Sequence, residues 1–170
     1  MIKDPEKKIA GRYHIITIGC QMNIADSERL ASRLEKSGYQ LSPDPEKADL
    51  LVINTCGVRQ MAEDRVYGLV ERYRAAAGPE MKIVIMGCLS RRPDVQERLA
   101  NRVDLFLPTS EMTRLPKILS AKEFAPEFSL DSVRLREGEK YLSLPPKRRP
   151  GMIAYIPIGN GCNNFCSYCV

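Results

Sequence analysis

The sequence predicts an α/β fold in which helices cover both faces of a doubly wound parallel sheet. Short apolar runs rich in β-branched residues alternate with amphipathic stretches of helical length over most of the first 121 residues. Strands that are buried on both faces have such continuous apolar runs, and the intervening stretches are long enough to form crossover helices. The length of 170 residues, with 44% hydrophobic and 28% charged residues, suits one globular domain and part of a second.

The first βα unit consists of a strand at 13–18 and a helix at 25–37. The strand is a β-branched run, and the helix carries apolar residues four positions apart on one face. Asp26 and Ser27 stand where an N-cap is expected, and Gly38 provides the usual C-terminal stop.

The same pattern then repeats along the chain. After a turn-rich connection with a brief extended piece, further strands are predicted at 49–54, 82–86 and 103–107. Helices are predicted at 61–77, from residue 93 onwards and at 111–121.

Two further segments follow the α/β domain, which we assign to residues 1–121. Residues 122–150 lack periodicity and contain clustered prolines and the basic run Lys147-Arg-Arg149, so we interpret them as a linker. Residues 151–170 begin a second domain with a strand at 152–158, and twenty residues cannot complete it. We therefore expect the chain to be a truncated form of a longer protein.

Composition excludes several classes of protein. The apolar content argues against disorder, and the chain has no stretch of about 18 apolar residues and no secretory signal, so we expect a cytoplasmic protein without a membrane partner. The 26 basic and 21 acidic residues give a net charge of +5, which is weak support for a nucleic-acid partner. The oligomeric state is not predicted.

Six cysteines without an export signal favour metal binding or catalysis over disulfides.

Three of the cysteines each follow a predicted parallel strand directly. Cys20, Cys56 and Cys88 are distant in sequence, but the carboxyl ends of parallel strands form one rim, which is the usual ligand site of such sheets. Helix N-termini at this rim favour anionic thiolates. A single cysteine at a strand end is most often inert filler. Three in equivalent loops, each next to a glycine, predict a shared metal site.

The other three cysteines form a compact C-x3-C-x2-C motif. Cys162, Cys166 and Cys169 can reach three corners of a cubane iron–sulfur cluster and leave one iron open, whereas structural zinc normally takes four protein ligands. A thioredoxin-type redox pair is a weaker alternative, because the C-x2-C part lies in no complete βαβ unit. The only histidine, His14, is interpreted as a core or sheet-face residue.

The C-x3-C-x-aromatic-C pattern, with Tyr168 as its aromatic residue, resembles the radical S-adenosylmethionine signature. With GCQMN at 19–23, DSE at 26–28, NTCG at 54–57 and GC at 87–88, the chain resembles the methylthiotransferase family over essentially its whole length. The residues after Cys20 are closest to the branch that modifies tRNA.

The resemblance implies two [4Fe-4S] clusters and S-adenosylmethionine as cofactors. Cys162, Cys166 and Cys169 would bind the radical cluster, whose open iron chelates S-adenosylmethionine, and Tyr168 would lie near the adenine of this cofactor. The other three rim cysteines, at 20, 56 and 88, would bind the auxiliary cluster that carries the transferred sulfur. No catalytic residue beyond these ligands is predicted.

The implied reaction converts a C–H bond of isopentenyladenosine, next to the tRNA anticodon, into C–SCH3. The implied partners are the anticodon stem-loop of tRNA and an electron donor. Arg91 and Arg92 depart from the usual family pattern after Cys88 and weaken the assignment to the tRNA branch. The family's barrel and RNA-binding domain are absent from the 170 residues, so we expect this chain alone to be inactive.

Three alternatives remain open at this point. The protein would modify another tRNA adenosine or a ribosomal protein, it would be a non-enzymatic iron–sulfur module, or it would bind structural zinc. The basic run at 147–149 is interpreted as solvated linker in preference to a tRNA contact.

Overall fold

Five parallel strands form a single sheet in the order β2-β1-β3-β4-β5. The strands are β1 (Gly11–Ile18), β2 (Tyr39–Leu41), β3 (Leu50–Thr55), β4 (Lys82–Gly87) and β5 (Leu105–Leu107). The helices are α1 (Gln21–Lys36), α2 (Gln60–Ala77), α3 (Pro93–Leu99) and α4 (Leu115–Ser120). The computed structural model describes residues 9–57, 60–77, 80–120, 140–148, 153–158, 164, 166 and 167.

The central strand β3 separates two hydrophobic cores. Leu50 and Val52 pack on the side of α1 and α4, whereas Leu51 and Ile53 pack on the side of α2 and α3. All six residues of β3 are buried, and burial of each Leu or Ile side chain contributes about 1.5–3 kcal/mol. The predicted doubly wound parallel sheet is confirmed.

Helix α1 begins earlier than predicted. Its N-cap is Cys20, so the expected N-cap residues Asp26 and Ser27 lie inside the helix. The side chain of Asn23 accepts a hydrogen bond from the backbone N–H of Cys20 at 3.1 Å, which satisfies one donor at this helix end. Ser27 is engaged in tertiary contacts with the sheet, which explains a polar residue in the middle of the helix.

The last predicted helix, at 111–121, is divided into two parts. Residues Thr109–Arg114 form a 3-10 helix, and α4 follows directly. Pro116 accounts for this change, because proline is tolerated only in the first turn of an α-helix and therefore limits how early α4 can begin.

The predicted strand at 152–158 is wrong for the residues that the structure describes. Residues 153–158 carry no strand, and Ile153, Ile156 and Ile158 are highly exposed. A strand needs a neighbour for its backbone hydrogen bonds, and the described part of the chain pairs none with this segment.

Part of the predicted linker contacts the α/β domain. A 3-10 helix covers Lys140–Ser143, and the backbone N–H of Lys147 donates to the carbonyl oxygen of Glu28 at 2.9 Å. Lys147 also pairs with Glu35, and Arg148 lies 3.7 Å from the Glu28 carboxylate. The described end of this segment therefore rests on α1.

No helix within the described ranges combines the length and apolar character that a membrane span requires.

Substitution of Gly87 tests the close approach of the backbones of β3 and β4 at the end of β4. A Cβ at this position would lie 2.2 Å from the carbonyl oxygen of Thr55, and the φ of +95° is unfavourable for other residues. We expect Gly87→Ala to lower the free energy of unfolding by at least about 2 kcal/mol, measured by urea denaturation.

Gly68→Ala is the matched control for this substitution. Gly68 lies within α2, and a Cβ there would contact nothing within 4 Å. The Gly68→Ala substitution should raise the free energy of unfolding by about 0.5–1 kcal/mol. Equal effects of the two substitutions would contradict the close backbone approach at Gly87.

Candidate metal centre

The three cysteine loops begin at one level of the sheet. Ile18 is the register partner of Thr55, and Thr55 is the register partner of Gly87, on three neighbouring strands. Cys56 and Cys88 follow their strands by one residue, and Cys20 follows its strand by two. The strand order reverses between β1 and β3, and this switch point is where doubly wound sheets of this order bind ligands.

Two glycines allow these loops to lie against one another. A Cβ on Gly19 would be 3.0 Å from the Cβ of Cys56, and a Cβ on Gly57 would be 3.2 Å from the Cβ of Cys88. Both distances are shorter than ordinary van der Waals contact. The backbone N–H of Cys56 also donates to the carbonyl oxygen of Ile18 at 3.0 Å. The loops of the three cysteines are therefore direct neighbours at this rim.

The three thiols differ in exposure. Cys56 is buried, Cys20 is partly buried and Cys88 is exposed, and all three are free thiols. A group bound to them would be covered on the β1 and β3 side and open to solvent on the β4 side. Such an arrangement suits a cofactor that must meet a substrate.

The described residues hold no group of three His, Cys, Asp or Glu side chains placed to bind one metal ion. The loops of Cys20, Cys56 and Cys88 are neighbours, but their thiols are not gathered into such a group. The single histidine is engaged elsewhere, since Nδ1 of His14 hydrogen-bonds the carbonyl oxygen of Ser42 at 2.8 Å.

The N-terminus of helix α1 lies at the rim. The helix starts directly after Cys20, its first turn contains no acidic residue, and its last turn contains Arg33 and Lys36. A helix with this charge distribution keeps the positive end of its dipole at the N-terminus, where anionic thiolates are favoured. Beside Cys88, the exposed Arg91 donates to the hydroxyl of Ser110 at 3.3 Å.

A buried polar network lies directly beneath the rim. Asn23 donates from Nδ2 to Oδ1 of Asn54 at 3.0 Å, and Asn54 donates from Nδ2 to the Asn23 carbonyl oxygen at 2.8 Å and to Ser27 Oγ at 2.9 Å. Thr17 Oγ1 lies 2.8 Å from Ser27 Oγ. The sequence gives one signal for this network, since Asn54 is a polar residue at the end of an apolar strand.

Asp26 is a buried carboxyl group on the same helix. Asp26 is 3% exposed, and its Oδ1 atom has no hydrogen-bond partner among the described residues. Burial raises the pKa of Asp26 to about 6, and the positive charge of Arg29 offsets part of this shift. Ionisation of Asp26 at neutral pH is therefore less favourable in the folded state than in the unfolded chain.

The second set of predicted ligands lies mostly outside the described residues. Cys162, Cys169 and Tyr168 fall there, so their predicted roles stay predictions. Cys166 is described and is an exposed free thiol.

Comparison with known proteins gives one family and a consistent set of relatives. Residues 12–107 match the family described as "Uncharacterized protein family UPF0004". The tRNA-2-methylthio-N(6)-dimethylallyladenosine synthase of Syntrophomonas wolfei is 42% identical over 98% of this chain and 38% of its own length. The enzymes of the same name from Carboxydothermus hydrogenoformans and Mycobacterium bovis are each 39% identical, over 93% and 95% of this chain and 37% and 32% of their own lengths. The chain thus spans about a third of these relatives, and the resemblance to methylthiotransferases is confirmed.

Asp26→Asn tests the cost of the buried carboxylate. The pKa of Asp26 is higher in the folded state than the ordinary 3.8, so its ionisation destabilises the fold fully above pH 6, and this effect is lost as pH falls below 3.8. We expect the substitution to raise the free energy of unfolding by about 3 kcal/mol at pH 8 and to have no effect at pH 3, measured by urea denaturation.

Asp94→Asn is the control of opposite sign. A hydrogen bond from Arg92 lowers the pKa of the exposed Asp94, so its charged form stabilises the fold above its ordinary pKa. That substitution should reduce stability at neutral pH. A pH-independent effect of Asp26→Asn would contradict the assignment.

Proposed function

The chain belongs to protein family UPF0004, and we propose that it forms the auxiliary-cluster part of a radical S-adenosylmethionine tRNA methylthiotransferase. The whole protein would convert isopentenyladenosine beside the anticodon into its 2-methylthio derivative. The names of relatives that match 93–98% of this chain support this substrate. The reaction requires S-adenosylmethionine, an electron donor and the anticodon stem-loop of tRNA, and its tRNA substrate favours the cytoplasm.

The observation that carries the proposal is the common rim of Cys20, Cys56 and Cys88. We assign them as ligands of a [4Fe-4S] cluster because thiolates are the usual protein ligands of such clusters. These three residues offer three thiols, whereas structural zinc almost always takes four protein ligands. The ligand number therefore favours an iron–sulfur cluster over a structural zinc ion.

Three protein ligands would leave one iron of the cluster available to hold the sulfur that is transferred. The residues of this chain bind, orient and shield the cluster. Gly19 and Gly57 let the loops approach closely, the buried Cys56 excludes water from the inner side, and the N-terminus of α1 favours the negative charge of the thiolates.

The second set, Cys162, Cys166 and Cys169, is proposed to bind the radical cluster, with Tyr168 near the adenine of S-adenosylmethionine. The spacing of these residues and the resemblance to the radical signature support this assignment. The chemistry fits the substrate, because an unactivated aromatic C–H bond requires a cofactor that generates radicals, while the protein supplies binding and orientation.

Cysteine substitutions test the cluster assignment. The chain is reconstituted anaerobically with iron and sulfide. Cys20→Ala, Cys56→Ala and Cys88→Ala should each lower the iron bound per chain by the content of one cluster, because a cluster left with two thiolates is weakly held. Iron analysis and Mössbauer spectroscopy provide the measurement. Cys166→Ala is the contrast, since it leaves the rim ligands intact and should keep their cluster. Stoichiometric tetrahedral zinc at the rim of freshly purified protein would refute the assignment.

Analysis of tRNA nucleosides tests the substrate. Deletion of the gene in its own host should abolish 2-methylthio-isopentenyladenosine and leave isopentenyladenosine in its place, measured by mass spectrometry of digested tRNA. Loss of the methylthio group from another tRNA adenosine or from a ribosomal protein would redirect the assignment within the family. Unchanged tRNA and ribosomal proteins would favour a non-enzymatic iron–sulfur module.

A further inference from the structure

We propose that the paired side chains of Asn23 and Asn54 are the positioning device of the three-cysteine site. The inference rests on the proposed role of the rim as a cluster site. Asn54 is fully buried and Asn23 is 4% exposed, so neither amide is a surface group. Both belong to the segments that carry cysteines, Asn23 three residues after Cys20 and Asn54 two residues before Cys56.

The pair hydrogen-bonds Cys20 and lies at the ends of the strands that lead to Cys56 and Cys88. Asn23 Oδ1 accepts from the backbone N–H of Cys20 at 3.1 Å and from its Sγ at 3.3 Å. Asn54 lies in the strand that leads to Cys56. Its Oδ1 atom is 2.8 Å from the position that a Cβ on Gly87 would occupy, directly before Cys88. Asn54 is therefore packed between α1 and the end of β4.

The polarity of the pair is fixed by backbone groups at both ends. The carbonyl oxygen of Asn23 can only accept, so the atom of Asn54 that faces it must be the donor Nδ2. Oδ1 of Asn54 then faces Asn23 and must accept from its Nδ2. Asn23 is left with Oδ1 toward the N–H of Cys20, which can only donate. A single orientation thus satisfies every group and ties Cys20 to β3.

Buried polar groups that are fully hydrogen-bonded hold a single arrangement, because every alternative leaves a donor or an acceptor unpaired. The amide pair therefore fixes the backbone of Cys20 relative to the strands that lead to Cys56 and Cys88. A cluster needs its three thiolates in fixed relative positions, and groups that orient ligands in this way commonly change metal affinity about 10–100-fold when they are altered.

Asn54→Asp is the variant that tests this inference. Aspartate has the same shape, but it places an acceptor oxygen opposite the Asn23 carbonyl oxygen, which reverses the polarity of the pair. Thr17→Val is the matched control, because it is also isosteric and removes the hydrogen bond to Ser27 within the same network but leaves the contacts of Cys20 in place. Both variants are made in a chain in which Cys162, Cys166 and Cys169 are alanine, so that only rim iron is counted.

Two readouts are measured under conditions where urea denaturation shows each variant to be folded. The first is the rate at which the anaerobically reconstituted protein loses iron to a chelator, together with the EPR spectrum of the reduced cluster. We expect Asn54→Asp to lose iron at least about tenfold faster than the parent and to change the spectrum, and Thr17→Val to stay within about twofold. The second is the rate at which iodoacetamide alkylates Cys20 in iron-free protein, measured by mass spectrometry. This rate should rise in Asn54→Asp and not in Thr17→Val.

The outcomes separate the two proposals. If the parent binds a rim cluster and Asn54→Asp matches Thr17→Val in both readouts, the positioning role is overturned and the cluster assignment stands. If the parent binds no cluster but alkylation of Cys20 rises only in Asn54→Asp, the cluster assignment fails while the amide pair still positions Cys20.

Discussion

Three neighbouring strands end at the same level of the sheet, and the rest of the structure depends on this constraint. Ile18, Thr55 and Gly87 are partners in the parallel register of β1, β3 and β4, and each strand leads within two residues to a cysteine. A slip of one residue in β3 would exchange Leu51 and the other residues of one face with those of the opposite face. The packing that stabilises the two cores therefore also determines where the cysteine loops lie.

The region beneath these loops combines glycines with buried polar side chains. Gly19, Gly57 and Gly87 stand where a Cβ would meet a neighbouring loop or strand, which allows the backbones to approach closely. Asn23 and Asn54 occupy buried positions that apolar side chains would fill at lower desolvation cost. Both features are understandable as requirements of the rim and not of the hydrophobic core, because neither adds apolar burial.

Much of the fold could be predicted from the sequence, since buried parallel strands and amphipathic helices leave strong periodic signals. The start of α1 could not, because Asp26 and Ser27 have N-cap chemistry but are used for burial and for contacts with the sheet. The strand expected at 152–158 is not formed over the described residues 153–158, because apolar composition indicates a strand only where a partner strand is available. The common rim of three cysteines followed from topology alone. The role of Asn54 did not follow from the sequence. A polar residue at the end of an apolar strand marks the position, but its hydrogen-bond partners depend on side-chain placement that sequence patterns do not encode.

The central claim is that Cys20, Cys56 and Cys88 bind one cluster together, and cysteine protection tests it most directly. The anaerobically reconstituted chain is treated with an alkylating reagent before and after removal of iron, and each cysteine is quantified by mass spectrometry. The account predicts that these three residues are protected as a set and become reactive together when iron is removed. Protection of only one or two of them, or reactivity of all three while iron remains bound, would contradict it.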